Sequence, residues 1–466
     1  MRVAMISNGI TSTVNASLEI ARRLTAAGHS VTMLCHADIG AVVEANGYGF
    51  VRLVADTEAF TELKQQMAAA WSGPISGRVR SVMTLPSTMR RVRVQTARGD
   101  ELLGTLEALD ADVALVDIEA HLAVVASARW PIPTALTTFL FAIEPRAGVP
   151  PIDSWLGPDD QDALDTAWQR AFAANRLARS RRRRSRLGVI DQLGPISYST
   201  ASRTALRAAA RQSGFDLRRS TQAKQWLRPH GYRGLPVLTT NLRELDFGAG
   251  APDSWHYVGP MVDVERREAL VDADDTRRWL EIREQHRDQQ ERPLVYCSLG
   301  SYWAADVGLL EQVIAVFAAQ PNWDLVIGLG RRGNIDRLGK LPPNVTALAW
   351  APQAEVLAEA DAAIIHGGNA GLNECVWFGV PMLVCSTGHL DQNGVAARVA
   401  HHGLGRACDG RRTNSPDLAT MLDEVLHDDR VRAAIDGVSA RAREPDRVRL
   451  IVELVERIAR REPITD

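Results

Sequence analysis

The segment from residue 350 to residue 392 holds side chains whose types and order could bind one composite ligand. Trp350 ends an apolar run, and an aromatic plane there can stack on a flat ring. His366 leads through two glycines into a helix predicted to begin near Asn369, and the free N–H groups of a helix N-terminus bind anions. Glu374 follows on that helix, where a carboxylate can accept hydrogen bonds from hydroxyl groups.

Asp391 and Gln392 come after the next apolar run and add acceptor and donor groups suited to the hydroxyls of a sugar. Each feature alone is weak, because a histidine at a strand end is more often structural and W-x-P-Q can be a simple turn. In this order, however, the features match a base, a ribose, a diphosphate and a sugar. The segment therefore predicts a site for a nucleotide diphosphate sugar.

Two halves of the chain would position these groups, since each alternates short apolar strands with amphipathic helices. In the first half the predicted strands are residues 3–7, 31–35, 50–54, 113–117, 134–138 and 237–240, and in the second half they are 293–298, 323–329, 344–350, 361–368 and 380–385. Such alternation predicts an α/β protein with two facing Rossmann-like, doubly wound domains. Ligands in these folds bind at the carboxyl ends of the strands, which here would face an inter-domain cleft.

The predicted boundaries are an acceptor domain over 1–245, a linker over 246–290, a donor domain over 291–445 and a C-terminal helix over 446–466.

The composition, the net charge and the first loop disfavour several classes of protein. The chain has 466 residues, 24% charged residues and a net charge of -2, which does not favour nucleic-acid binding. Five scattered cysteines predict neither a zinc site nor disulfides and fit a cytoplasmic location. No apolar run approaches the about 18 residues of a membrane span. The first loop, NGITSTVNA, departs from G-x-G-x-x-G, which disfavours a nicotinamide dehydrogenase.

These residues resemble the donor-binding signature of the UDP-glycosyltransferase-like superfamily of the GT-B fold, which includes plant secondary-metabolite, carotenoid and macrolide glycosyltransferases. The resemblance is strongest over 293–405 and weaker but continuous over the first half. The matching positions are Trp350, Gln353, His366, Gly368, Glu374, Gly379-Val380-Pro381 and Asp391-Gln392.

The resemblance implies a role for each matching residue. Trp350 would stack on the base and the Ala351 backbone would read its edge, while Gln353 and Glu374 would hold the ribose. His366 and backbone groups near Gly368 would contact the diphosphate, bordered by Ser298 and Ser301. Asp391 and Gln392 would grip the sugar. No metal and no cofactor besides the nucleotide sugar would be needed.

Two departures from the family pattern stand out. Asn369, Ala370 and Gly371 follow the His-x-Gly motif where the family usually has other side chains, so two contacts to phosphate or sugar are missing unless Asn369 compensates. In the first loop, Ser12 and Thr13 stand where the family has Gly and its catalytic His. A threonine hydroxyl is too weak a base for that role at neutral pH.

Several hypotheses follow for the missing base. Asp117, which resembles the family's acidic partner of the catalytic His, could act directly, or Glu119 or His121 could have taken over. The acceptor could instead be an amine or an anion that needs no strong base. All three residues could also be merely structural.

For the acceptor, the first-domain loops offer four apolar candidates, Trp71, Met83, Phe139 and Trp155.

The expected function is inverting, metal-independent transfer of a hexose, from UDP-glucose or alternatively a TDP-sugar, to a small natural-product acceptor. A non-catalytic auxiliary partner of a transferase, or an epimerase or hydrolase on the same fold, are the alternatives.

Overall fold

The structure is a computed structural model that describes residues 1–53, 99–184, 203–221, 231–248, 250–267, 273–288, 292–300, 307–330 and 335–464.

The first domain contains a seven-stranded parallel sheet with strand order β3-β2-β1-β4-β5-β6-β7. β4 is buried along its whole length, as expected for a strand covered by helices on both faces. The strands are β1 (Arg2–Ile6), β2 (Ser30–Cys35), β3 (Gly49–Arg52), β4 (Val113–Asp117), β5 (Thr134–Thr138), β6 (Val237–Thr239) and β7 (Trp255–Tyr257).

Its helices are α1 (Thr11–Ala26), α2 (Gly40–Ala45), α3 (Gly99–Ala108), α4 (His121–Ala126), α5 (Gln161–Arg184) and α6 (Arg203–Ser213).

The second domain contains a six-stranded parallel sheet with order β10-β9-β8-β11-β12-β13. Its strands are β8 (Leu294–Ser298), β9 (Asp324–Gly328), β10 (Val345–Leu348), β11 (Ala362–Ile365), β12 (Met382–Ser386) and β13 (Gly405–Asp409). After α7 (Ala273–Asp288), which precedes the sheet, the helices are α8 (Val307–Ala319), α9 (Gln353–Glu359), α10 (Asn369–Phe378), α11 (Gln392–His401), α12 (Ser415–His427), α13 (Asp429–Ala442) and α14 (Pro445–Ala459).

Both sheets reverse their strand order at one place, between β1 and β4 in the first domain and between β8 and β11 in the second. Loops after such neighbouring strands diverge to opposite faces of the sheet and leave a crevice at the carboxyl edge, where ligands bind. The residues at the carboxyl ends of these four strands are therefore the ones the fold places best for chemistry. They include Asp117 and Ser298, which end β4 and β8, and Asn8 and His366, which follow β1 and β11.

The structure changes the predicted domain boundaries in two places. Residues 255–257, predicted as linker, form β7 and pair with β6, so the first sheet extends beyond residue 245. Three residues are too few to show a strand pattern in the sequence. Helix α14 packs on the first domain, because its apolar face, including Ile451 and Val455, shares a core with Leu18 of α1.

A buried ionic cluster joins the two domains. Arg398 of α11 donates to Asp246 Oδ1 at 2.6 Å, and the other Asp246 oxygen accepts from Arg146 at 2.6 Å and from the Tyr257 hydroxyl at 2.5 Å. The guanidinium of Arg398 lies 4.2 Å from the ring centroid of Phe141. The first-domain loop after β5 is thus fixed to the helix that begins at the predicted sugar-binding pair.

None of the helices that the structure describes is both long enough and apolar enough to cross a membrane. Within the same residues, no group of three or more His, Cys, Asp or Glu side chains is arranged to hold a metal ion.

Candidate functional site

Two acidic side chains at the carboxyl edge of the first sheet share one amide. The Asn8 side-chain N–H₂ donates to Asp117 Oδ1 at 3.3 Å and to Glu119 Oε2 at 3.2 Å. Asp117 Oδ1 also accepts the backbone N–H of Glu119 at 2.8 Å. All three residues are buried, so their positions are fixed by these contacts. Glu119 and Asp117 are therefore neighbours, as the sequence predicts, whereas Asn8 was not predicted.

Thr13, in the first turn of α1, contacts Asn8 and the backbone of the preceding loop. Its hydroxyl lies 2.5 Å from Asn8 Oδ1 and 2.8 Å from the Ile10 carbonyl oxygen. Asn8 Oδ1 also accepts the Ile10 backbone N–H at 2.8 Å. Because the amide oxygen is held in this way, the Asn8 amide nitrogen must face the two acids. Asn8 lies just after β1, at the point where the strand order reverses. This position is the signal that could have identified Asn8 as a site residue from the sequence.

Burial strongly affects the proton affinity of these acids. Burial, and then the negative charge of Glu119, hold the pKa of Asp117 well above its usual range. Burial and the charge of Asp391 raise the pKa of Glu119 to about 7, against a smaller lowering by the Asn8 hydrogen bond. Glu119 thus titrates near neutral pH, where a general acid or base works best.

His121, the third candidate base, begins α4 and is buried in the first domain. Its Nδ1 lies 2.9 Å from the hydroxyl of Tyr232, which is itself 1% exposed in the hydrophobic core. This pairing with a core tyrosine favours the structural hypothesis for His121.

On the opposite domain, Asp391 and Asn369 form a buried pair. The Asn369 side-chain amide donates to Asp391 Oδ2. Burial raises the pKa of Asp391 to about 6, although the Asn369 bond and the charge of Arg398 lower it. Asn369 therefore orients Asp391, the predicted sugar ligand.

His366 follows β11 and is enclosed by two glycines. A Cβ built on Gly300 would lie 2.7 Å from His366 Cε1, and one built on Gly368 would lie 2.7 Å from Nε2. Burial lowers the pKa of His366 to about 4, so at neutral pH its ring is uncharged. A neutral ring N–H next to a helix N-terminus can donate to phosphate oxygens.

Helix α10 begins at Asn369, with Gly368 as its N-cap and no side-chain capping bond. Ala370 and Gly371 lie in its first turn, where small side chains leave the backbone N–H groups accessible to an anion. The dipole of the helix adds positive potential at the same point. The N–H groups at the start of α10 therefore lie where the sequence predicts diphosphate contacts.

We expect Gly368→Ala to weaken binding of UDP or TDP about tenfold, since the new methyl group must displace the His366 ring and overpacking typically costs about 1–3 kcal/mol. Gly371→Ala is the matched control on the same helix, because its added Cβ would lie 3.7 Å from the nearest atom of Ile365, an ordinary contact. Tryptophan fluorescence titration measures both affinities. Equal affinities in the two variants would contradict the packing of His366 against Gly368.

The predicted ribose ligands Gln353 and Glu374 are joined by a direct hydrogen bond from the Gln353 amide. The Gln353 amide oxygen accepts the Tyr296 hydroxyl at 3.1 Å. Glu374 also forms a buried ion pair with Arg266, at 2.7 Å. Arg266 was not predicted, because it lies 108 residues away in the linker. The Glu374 carboxylate is therefore held in place before any ribose binds.

Trp350 follows β10, and its backbone N–H donates to Asp275 Oδ2 at 2.8 Å. The neighbouring N–H of Ala349 donates to Asp275 Oδ1 at 3.2 Å, so Asp275 of α7 anchors this turn. Trp350 is half-buried and Ala351 is buried. Asp275 is a second supporting residue that sequence reasoning missed.

The remaining predicted donor residues are Ser298, Ser301 and Gln392. Ser298 ends β8 at the crevice, and Ser301 lies outside the described residues. The Gln392 amide oxygen accepts the Thr387 N–H at 3.0 Å and hydroxyl at 2.9 Å, so it orders the preceding loop. Because these described contacts occupy the oxygen of the Gln392 amide, its nitrogen is the atom that could donate to a sugar hydroxyl.

Of the acceptor candidates, Trp71 and Met83 lie outside the described residues. Phe139 is half-buried and packs against the hydrophobic core, which favours a structural role. Trp155 is 41% exposed. The loop that carries it contacts α11 directly, because Asn393 donates to the Asp153 carbonyl at 3.0 Å.

Comparison with known proteins adds independent findings. Residues 316–456 match the model of the erythromycin biosynthesis protein CIII-like, C-terminal domain. A demethyllactenocin mycarosyltransferase from Streptomyces fradiae is 28% identical over 170 residues, 36% of this chain and 36% of that protein. A zeaxanthin glucosyltransferase from Pantoea ananas is 24% identical over 429 residues, 91% of this chain and 88% of that protein.

The chain spans less than half of the length of the first three curated relatives that it matches. The crystal structure of glycosyltransferase VinC in complex with DTDP is similar with a TM-score of 0.60 at 17% identity, covering 99% of this chain and 100% of that one. These findings confirm the GT-B fold and the predicted resemblance to the UDP-glycosyltransferase-like superfamily.

Proposed function

We propose that this protein is a natural-product glycosyltransferase that moves a hexose from a nucleotide diphosphate donor to a small-molecule acceptor with inversion. The observation that carries the proposal is the meeting of two complementary half-sites. The second domain offers an uncapped helix N-terminus beside His366, and the first domain offers Glu119 with a pKa of about 7. The named relatives, which are mycarosyl- and glucosyltransferases, support the same reaction class.

Glu119 is the proposed general base, in preference to Asp117 or His121. Asp117 Oδ1 is already bonded to Asn8 and to the Glu119 N–H, and His121 is bonded to Tyr232. Among the described residues Asn8 donates to the Glu119 carboxylate, and the negative charge of Asp391, on the opposite domain, acts on the same carboxylate. Asp117 and Asn8 are positioning residues that orient it.

In the proposed step the acceptor hydroxyl oxygen attacks the anomeric carbon as Glu119 takes its proton. The bond from that carbon to the diphosphate oxygen breaks, and the nucleoside diphosphate leaves with the electron pair. The N–H groups of α10 and the His366 ring stabilise the charge that develops on the diphosphate. The base lies on the first domain, whereas the groups that bind the leaving diphosphate lie on the second. This arrangement supports attack from the face opposite the leaving group and hence inversion.

For the donor we propose UDP-glucose, with a TDP-sugar as the alternative. Asp391 and Gln392 would bind hydroxyls of the sugar, and Trp350 would stack on the base. Stacking does not separate uracil from thymine, and the solved VinC structure holds DTDP. The small natural-product acceptor would bind in the cleft, next to the loop after β5.

The experiment that tests the proposal is donor turnover in the presence of EDTA. UDP-glucose and TDP-glucose are incubated with the protein, with and without a panel of phenolic and macrolide acceptors, and released nucleoside diphosphate is quantified by chromatography. We expect release that depends on the acceptor and is unchanged by EDTA. Donor binding without release for any acceptor would contradict catalysis and favour an auxiliary partner, and release without acceptor would favour a hydrolase.

The pH dependence gives a second check. With a donor whose sugar is uncharged we expect kcat/KM to rise with pH through about 7, because Glu119 must be ionised to accept a proton and burial raises its pKa to about 7 in the unliganded protein. Measuring kcat/KM from pH 5 to pH 9 in a constant-ionic-strength buffer tests this. An acid limb centred near the ordinary glutamate value of about 4.3 would contradict the role of the buried Glu119.

A further inference from the structure

Two cysteines on neighbouring strands of the second sheet bring their sulfur atoms together. Cys385 on β12 and Cys408 on β13 are in-register partners, and their Sγ atoms lie 3.6 Å apart. Neighbouring strands run about 4.8 Å apart, which is within the range of Cα separations that a disulfide spans. Because a disulfide needs a sulfur–sulfur distance of about 2.0 Å, the two side chains have only about 1.5 Å left to close.

The other three cysteines are placed differently. Cys297 lies on β8, which β11 separates from β12, so two strand spacings, about 10 Å or more, divide it from Cys385. Cysteines whose Cα atoms are more than about 7 Å apart cannot be bridged without backbone movement. Cys35 belongs to the first domain, and Cys375 is buried on α10. Among the described cysteines, Cys385 and Cys408 are therefore the pair that the fold places for a bridge.

The two thiols differ in reactivity. Cys408 is half-buried on β13, the edge strand of the sheet, whereas Cys385 is buried in the hydrophobic core. The hydrogen bond with Cys385 lowers the pKa of Cys408, whereas the same contact, and then burial, hold the pKa of Cys385 well above its usual range. The thiolate is the form that an oxidant attacks, and a reachable thiolate beside a second thiol is typical of redox-sensitive pairs. Cys408 is therefore placed to react first and Cys385 second.

The pair lies at the base of the loop that leads to the predicted sugar-binding residues. Ser386, next to Cys385, donates its hydroxyl to Asn393 Oδ1 at 2.7 Å and accepts the Gly388 N–H at 3.0 Å. After β13, the Gly410 N–H donates to the Ser386 carbonyl oxygen at 2.8 Å. Movement of Cys385 toward β13 would therefore shift the loop over residues 387–391.

We propose that Cys385 and Cys408 form a reversible disulfide on reaction with a hydroperoxide, and that this bond weakens donor binding until it is reduced. The effect on donor binding rests on the proposed glycosyltransferase function, whereas formation of the bond does not depend on it.

The proposed reaction has two steps. The Cys408 thiolate attacks one oxygen of the hydroperoxide, the O–O bond breaks, and Cys408 becomes a sulfenic acid. The Cys385 sulfur then attacks the Cys408 sulfur, the S–O bond breaks, and the hydroxide leaves as water with the Cys385 proton. With hydrogen peroxide, two thiols and one peroxide give one disulfide and two waters, so the sulfurs lose the two electrons that the peroxide oxygens gain.

Peptide mapping tests the bond. The full chain, freed of reductant, is treated with a small molar excess of hydrogen peroxide, alkylated, and digested without reduction by chymotrypsin, which can cut at Trp377 and Phe378 and so separate Cys375 from Cys385. We expect mass spectrometry to show the Cys385 and Cys408 peptides joined. Free thiols should fall from five to three and return to five after dithiothreitol.

Two variants serve as controls for the mapping. Cys297→Ala removes the neighbouring core thiol and should form the same bond, whereas Cys408→Ser should form none. Five free thiols in the peroxide-treated wild-type protein, or a bond that joins other cysteines, would overturn the proposal.

Tryptophan fluorescence titration with UDP-glucose and TDP-glucose tests the effect on the donor. We expect oxidation to weaken binding about threefold or more, reversibly, because a displacement of about 1 Å at a site can cost up to about 10²-fold. Cys408→Ser should bind equally well before and after peroxide. Unchanged affinity in wild-type protein shown to carry the bond would overturn the link to the donor site. Reduced protein that binds neither donor would instead count against the proposed function, while the mapped bond would stand.

Discussion

Glu119→Gln is expected to lower kcat for glycosyl transfer by about 10²–10⁴-fold while changing donor affinity little. The substitution keeps the size of the side chain and its Asn8 contact but removes the group that accepts the proton. Glu119 accepts the Asn8 hydrogen bond at 3.2 Å and its pKa is raised to about 7 by burial and by the charge of Asp391, so the substitution removes the carboxylate that we propose as the base. Steady-state assays of nucleoside diphosphate release measure the effect.

Two variants sharpen this prediction. Glu107→Gln, on the exposed face of α3, is the matched control and should keep full activity. Asp117→Asn should reduce kcat less than Glu119→Gln, because Asp117 only positions Glu119, by accepting the backbone N–H of Glu119. If Asp117→Asn abolished transfer and Glu119→Gln kept it, Asp117 would be the base.

Arg398→Met is expected to destabilise the protein by about 3–5 kcal/mol, the usual effect of breaking a buried ion pair. The substitution leaves Asp246, which is 6% exposed, with Arg146, the Tyr257 hydroxyl and the Phe247 backbone N–H as its described partners. It also removes the cation between the rings of Phe141 and Phe247, which lie 4.2 and 4.4 Å from the guanidinium carbon. Urea unfolding followed by tryptophan fluorescence measures the change.

The control is Arg406→Met, which removes ion pairs of a partly exposed arginine to Glu424 and Asp428 and should cost about 1 kcal/mol or less. Because Arg398 lies on the helix that begins at Gln392, the Arg398 variant should also raise the KM for the donor. An Arg398 variant as stable as the Arg406 variant would show that the inter-domain cluster does not hold the domains together.

The sequence predicted most of the strand–helix alternation because strands such as β4 and β11 are short, continuous apolar runs. Strand β13, with the sequence GRACD, has no such run and was not predicted. It predicted the donor motif because His366, Glu374 and Asp391 lie close together along the chain around two consecutive strands and their helices. Local spacing was sufficient in both cases.

What the sequence did not predict depends on partners far apart in the chain. Asn8 reaches Glu119 across 111 residues, and Arg266 reaches Glu374 across 108. Strand β7 escaped prediction because three residues carry no periodicity, and its place follows from pairing with β6. The choice of Glu119 over Asp117 needed the burial and hydrogen bonds of both carboxylates, which only the folded chain defines.

The most direct test of the proposed inverting transfer is the anomeric configuration of the product. The wild-type protein is incubated in EDTA with an α-linked nucleotide hexose and an acceptor, and the product is followed by NMR from the start of the reaction. We expect a β-linked glycoside, formed in equal amount to the nucleoside diphosphate released. An α-linked glycoside would contradict inversion, and free sugar or an epimerised donor without any glycoside would contradict transfer itself.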